Sequence, residues 1–134
     1  MSELKELAAK NYNEAYELVV EGSPADALLG LELAASSLNL WRQVGTPKNE
    51  AIGLWLYSRA LLNAGAKDLA VEAAAKCVEI AEILEIDWML ASALEGLARA
   101  TGSAESKARA AAAIAAISAP RDRELIESQF ADLR

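Results

Sequence analysis

The feature that most limits what this chain can fold into is the spacing of its turn signals. They fall at Gly22-Ser23-Pro24, Gly45-Thr46-Pro47, Ala64-Gly65-Ala66, Glu85-Ile86-Asp87, Thr101-Gly102-Ser103 and Ser118-Ala119-Pro120, and each segment between them carries apolar residues at a helical period. The fourth segment places Leu69, Ala73, Cys77, Ile80 and Leu84 on one stripe, and the fifth Leu90, Leu94, Leu97 and Ala98. No alternating strand pattern competes. The spacing predicts helices near 2–21, 24–44, 47–64, 67–85, 87–101, 104–118 and 120–133. Ser23-Pro24 and Thr46-Pro47 put a hydroxyl at the N-cap and proline at the first helical position, and Gly45, Gly65 and Gly102 stand where helices end. Turns this short force consecutive helices antiparallel. The expectation is an all-α single domain over 1–134, with antiparallel hairpins near 2–44, 47–85 and 87–118 and a capping helix over 120–133.

Composition supports that class and excludes others. With 30 Ala and 20 Leu against 3 Pro and 7 Gly, the chain is made of helix formers. At this length it buries roughly 68% of its unfolded surface and needs no staples. Small residues such as Ala27, Ala34, Ala70 and Ala74 let helix axes approach, so Leu18, Leu31, Leu38, Leu61, Leu69, Val78, Ile80 and Leu97 are expected to supply most of the apolar burial. Trp41 and Trp88, near helix ends, are expected to plug hairpins.

The absence of His removes the usual general base, the commonest zinc ligand and every Ser-His or Cys-His pair. A lone Cys77 forms no internal disulfide and falls where packing wants a small residue. No phosphate-cradling glycine motif occurs. Glutamates one turn apart at Glu14/Glu17, Glu79/Glu82 and Glu124/Glu127 suit exposed helix faces better than a di-metal site, which also draws on His. The reading is a protein that is not an enzyme and holds no metal or cofactor. A net charge of −7 disfavours nucleic acid. The apolar stretch Ala108–Ile117 is too short for a membrane span of roughly 20 residues. The charged opening Met1-Ser2-Glu3-Leu4-Lys5 shows no export signal, and the expectation is a cytoplasmic protein, although the single Cys fits a reducing compartment and an exported protein without disulfides equally well.

The segments also repeat. Gly22, Ala27 and Ala34 keep the same spacing as Gly65, Ala70 and Cys77 at an offset of 43 residues, and Gly102, Ala108 and Ala115 follow with one extra residue after the glycine. In this spacing, and in the run Leu61-Leu62-Asn63-Ala64-Gly65-Ala66-Lys67-Asp68-Leu69-Ala70 continuing to Glu82, the chain resembles the tetratricopeptide repeat family over about residues 8–118. The first period exceeds that family's usual length of about 34 residues. The resemblance implies hairpins stacked as a right-handed superhelix, with the first helix of each repeat lining a concave groove.

Carried over by the Gly22 and Gly65 register, Tyr12 and Trp55 take matching groove positions, Tyr16 and Arg59 the next turn, and Val19 or Val20 with Leu62 or Asn63 the turn beyond. The third hairpin contributes Ser92, Gly96 and Arg99. Tyr, Trp and Arg are the residues that anchor partners at interfaces, and the competing reading is core, with Trp55 under a neighbouring helix and Tyr12 and Tyr16 closing the N-terminal hairpin. The expected function is a non-catalytic protein- or peptide-binding adaptor whose site comprises Tyr12, Tyr16, Trp55, Arg59, Asn63 and Arg99. Apolar side chains would lie on the aromatics while Arg59 and Arg99 engage acidic or backbone groups. The rival is a structural homodimer whose groove pairs with a second copy.

Overall fold

A computed structural model of the chain describes residues 3–133. The predicted helix start at residue 2 therefore lies outside the described residues. Seven helices are described: α1 (Glu3–Val20), α2 (Ala27–Val44), α3 (Pro47–Asn63), α4 (Lys67–Leu84), α5 (Asp87–Thr101), α6 (Ala104–Ala115) and α7 (Pro120–Phe130), with 3-10 turns at Pro24–Asp26 and Ala131–Leu133. No strand occurs among the described residues. The third hairpin and the cap end a turn earlier than expected, because α6 stops at Ala115 and the chain tightens into a 3-10 turn after Phe130.

Local chemistry accounts for the helix ends. The Thr46 amide donates to Asn49 Oδ1 at 3.0 Å and the Asn49 amide returns a bond to the Thr46 hydroxyl, so Thr46 starts α3. Ser103 accepts from the Ser106 amide at 3.1 Å and starts α6 in the same way. Gly65 (φ +85°) and Gly102 (φ +67°) close their hairpins in the left-handed region, where a Cβ is penalised. Gly45 departs from expectation: its backbone is extended, so α2 ends without a left-handed residue. After α4 that conformation falls to Glu85 (φ +56°), which is not a glycine.

Packing follows the hairpin scheme. α1 lies along α2, α3 along α4 and α5 along α6. The odd-numbered helices also touch in sequence, α1 to α3, α3 to α5 and α5 to α7, whereas the even-numbered ones meet one another at most marginally. The odd helices thus form an inner row.

The glycine-anchored spacing is more regular than the sequence suggests. Eight and twelve residues after the three glycines stand Gly30 and Ala34, Ala73 and Cys77, and Ala110 and Ile114, and all six are buried. No extra residue interrupts the third copy in this register; Ala108 and Ala115, which the sequence spacing picked out, are exposed. On α4 the buried stripe runs Ala70, Ala73, Ala74, Cys77, Val78 and Ala81, which turns Leu69 outward at 54% exposure and leaves Ile80 and Leu84 half-buried. Leu18, Leu31 and Leu97 are also only half-buried. Leu38, Leu61 and Val78 are buried as expected, and the rest of the large buried side chains are Leu54, Leu56, Ile114, Ile117, Ile126 and Phe130.

Because Glu85 carries a left-handed conformation that disfavours a side chain by about 1–2 kcal/mol, Glu85→Gly is expected to stabilise the fold by about 0.5–1 kcal/mol after the flexibility of glycine is deducted. Urea denaturation checks this, and an unchanged or lower midpoint contradicts it.

Candidate binding groove

All six sequence-selected residues lie on the inner row, but they divide into two clefts. Tyr12, Tyr16 and Trp55 line an apolar cleft of 160 Å³ with α5 on its floor and Leu125 and Gln129 of α7 on the opposite wall. Arg59, Asn63 and Arg99 line a polar cleft of 370 Å³ at the C-terminal ends of α1, α3 and α5, beside the Gly22–Pro24 turn.

The apolar cleft is a row of rings. Tyr16 stacks on Trp55 with centroids 6.2 Å apart and planes 25° apart, and Tyr12 lies 6.4 Å from Tyr16. Trp55 is only 7% exposed, so its ring is floor and not rim. Gly96 makes room for it: a Cβ there would meet Trp55 Cδ1 at 3.1 Å. Trp88, half-buried against the core, also lines this cleft, with the Lys48 ammonium 5.6 Å from its ring centre. Burial, then the neighbouring Tyr16 and Cys77, push the Tyr12 phenol well above its ordinary pKa. Among the described residues neither tyrosine hydroxyl has a hydrogen-bond partner.

A fully buried carboxylate organises the floor. Glu95 accepts from Trp55 Nε1 at 2.9 Å through Oε1 and from Arg99 Nε at 2.8 Å through Oε2. Arg99 then reaches the C-terminal turn, donating to both carboxylate oxygens of Asp132 at 2.7 and 2.8 Å and to the Gln129 carbonyl at 2.9 Å. Glu95, Gln129 and Asp132 join the site without having been singled out by the sequence. Glu95 was legible as a charge on the apolar stripe Ala91, Leu94 and Ala98, four residues ahead of Arg99. Asp132 carried no such signal, since its partner is 33 residues away.

Asn63 and Arg59 differ in kind. Asn63 Nδ2 donates to the Val19 carbonyl at 2.8 Å, tying the end of α3 to the end of α1. Arg59, half-buried between the two clefts, makes no hydrogen bond or ion pair with any described residue. Burial and then the charge of Arg99 push its pKa down. The one-turn glutamate pairs Glu14/Glu17, Glu79/Glu82 and Glu124/Glu127 stand on exposed faces of three separate helices. Cys77 packs beneath α3, its thiol donating to the Ala51 carbonyl at 3.2 Å.

No family model matches the chain, and no curated protein or solved structure matches it either.

Two outcomes check this geometry. Glu95→Ala strands a buried indole N–H and one face of the Arg99 guanidinium, and is expected to destabilise by about 3 kcal/mol in urea denaturation; a loss below about 1 kcal/mol contradicts the network. Burial pushes the Cys77 thiol up to about 12. At pH 8 roughly one molecule in ten thousand then carries the thiolate, so Ellman's reagent should react only once denaturant unfolds the chain.

Proposed function

We propose that the chain is a non-catalytic binding module, built as a right-handed tetratricopeptide-like stack, whose inner groove takes a segment of a protein partner. The observation that carries this reading is the apolar cleft itself. It presents three rings in a row, two of them with hydroxyls that no described side chain engages, facing an α7 wall whose Leu125 is 58% exposed. Its 160 Å³ admits one or two apolar side chains. Cofactor pockets run to about 300–1,000 Å³ and enclose their ligand, so a peptide side chain fits the dimensions better. Support for the stack comes from the glycine-anchored spacing in three hairpins and from the inner row of odd helices.

Trp55 is a poor probe of this function, because removing it also breaks the Glu95 network. The rim residues Tyr12 and Leu125 are better ones. A peptide-display selection on the wild-type chain is expected to enrich an apolar pattern whose affinity falls about tenfold in Tyr12→Ala and in Leu125→Ala. Circular dichroism should show both variants folded. If no pattern is enriched and light scattering finds a concentration-independent dimer, the groove serves a second copy of the chain instead.

A further inference from the structure

Both arginines of the polar cleft are half-buried, yet only one is satisfied. Arg99 spends its donors on Glu95, Asp132 and the Gln129 carbonyl, while on the neighbouring helix Arg59 spends none on any described residue. A guanidinium offers five donors in a rigid fork, and holding one out of water beside a second cation is costly unless an anion joins them. Of the two carboxylates nearby, Glu95 is fully buried and bound to Trp55, so it belongs to the floor. Asp132 differs. It meets the Arg99 fork with both oxygens, its side chain is 62% exposed, and it sits in the three-residue turn Ala131–Leu133. The hydrogen bond from Arg99 holds the Asp132 carboxyl below its ordinary pKa, and the charge of Arg59 adds to that pull.

We propose that Arg59 and Arg99 form a carboxylate-binding subsite at the polar end of the groove, that Asp132 occupies it from within the chain, and that a protein partner enters by exchanging an acidic side chain of its own for Asp132. The inference rests on the groove reading above and adds the partner's chemistry: apolar residues for the ring cleft, followed by a carboxylate for the arginines. Asp132 itself shows the fit, a planar carboxylate taking two parallel bonds from one fork. The overall charge of −7 does not forbid this, since charges farther away than about 8 Å are largely screened at physiological salt.

The test follows the arginine Nε–H signals of Arg59 and Arg99 by NMR in the full chain, titrated with N-acetyl-hexaglutamate amide. Hexaglutamine and inorganic phosphate serve as comparison probes. Asp132→Asn removes the internal competitor, and both signals are expected to shift saturably with a midpoint about five- to tenfold lower than in wild type. Adding Arg59→Gln, which breaks no bond to a described residue, should abolish the response. Equal midpoints with and without Asp132, no saturable shift in Asp132→Asn, or an equal response to hexaglutamine or phosphate would overturn the proposal. The two readings fail separately. Display peptides that are apolar but never acidic would keep the groove and sink the subsite. A hexaglutamate response as described, with no peptide enriched, would keep the subsite and sink the groove.

Discussion

The Glu95 carboxylate is the point on which the inner face depends. Fully excluded from water, it would be intolerable alone, and both oxygens are engaged: one by the Trp55 indole from α3, the other by Arg99 from its own helix. Through Arg99 the same carboxylate reaches Asp132 and the end of α7. One buried charge therefore fixes the spacing of α3, α5 and the C-terminal turn. Hydrophobic packing alone would leave that spacing free to slide, because alanine faces offer few shape features for register.

Elsewhere, small residues do the positioning. Gly30, Ala34, Ala73, Cys77 and Ala110 occupy corresponding sites, and each lets the second helix of a hairpin lie close to the first. Close approach brings side-chain donors within reach of backbone carbonyls across the hairpin. Ser37 donates to the Ala8 carbonyl and Cys77 to the Ala51 carbonyl, and Ala8 and Ala51 are themselves equivalent, each fourteen residues ahead of its hairpin glycine. Ser58 adds a bond to the Ala70 carbonyl. These contacts satisfy buried hydroxyls without a polar network, so the outer row can stay alanine-rich.

The helices and their order were legible because period and turn chemistry are local. Gly65, Gly102, Thr46 and Ser103 each act within a few residues of themselves. Burial was harder to read where alanine is dense. On α4, Leu69 looked like core because it is large, yet the stripe of Ala70, Ala73, Ala74 and Cys77 faces α3 and turns Leu69 outward. When small residues are common on every face, size no longer marks the buried side. Placement of the groove residues on the inner row was legible from the glycine register. Their long-range pairings were not, since the bonds of Trp55 to Glu95 and of Arg99 to Asp132 span 40 and 33 residues. Asn63 shows the same limit: its register predicts a groove position, and only the fold reveals the Val19 carbonyl that takes its amide.

The inner face is thus graded from fixed to adaptable. Trp55 is clamped by Glu95 on one side and by the close approach of Gly96 on another, so it cannot turn to meet a ligand. Around it Tyr12 and Tyr16 are half-buried and Leu125 is exposed. A rigid floor spares a ligand the entropy of ordering it, while a looser rim accommodates differences in side-chain shape. At the other end the balance is reversed: Arg99 is held by Glu95 whichever carboxylate it faces outward, and Asp132 is the member of the network most exposed to water. On the proposed function, specificity for an apolar residue resides in a preformed surface, and specificity for an acidic one in a competition between like groups.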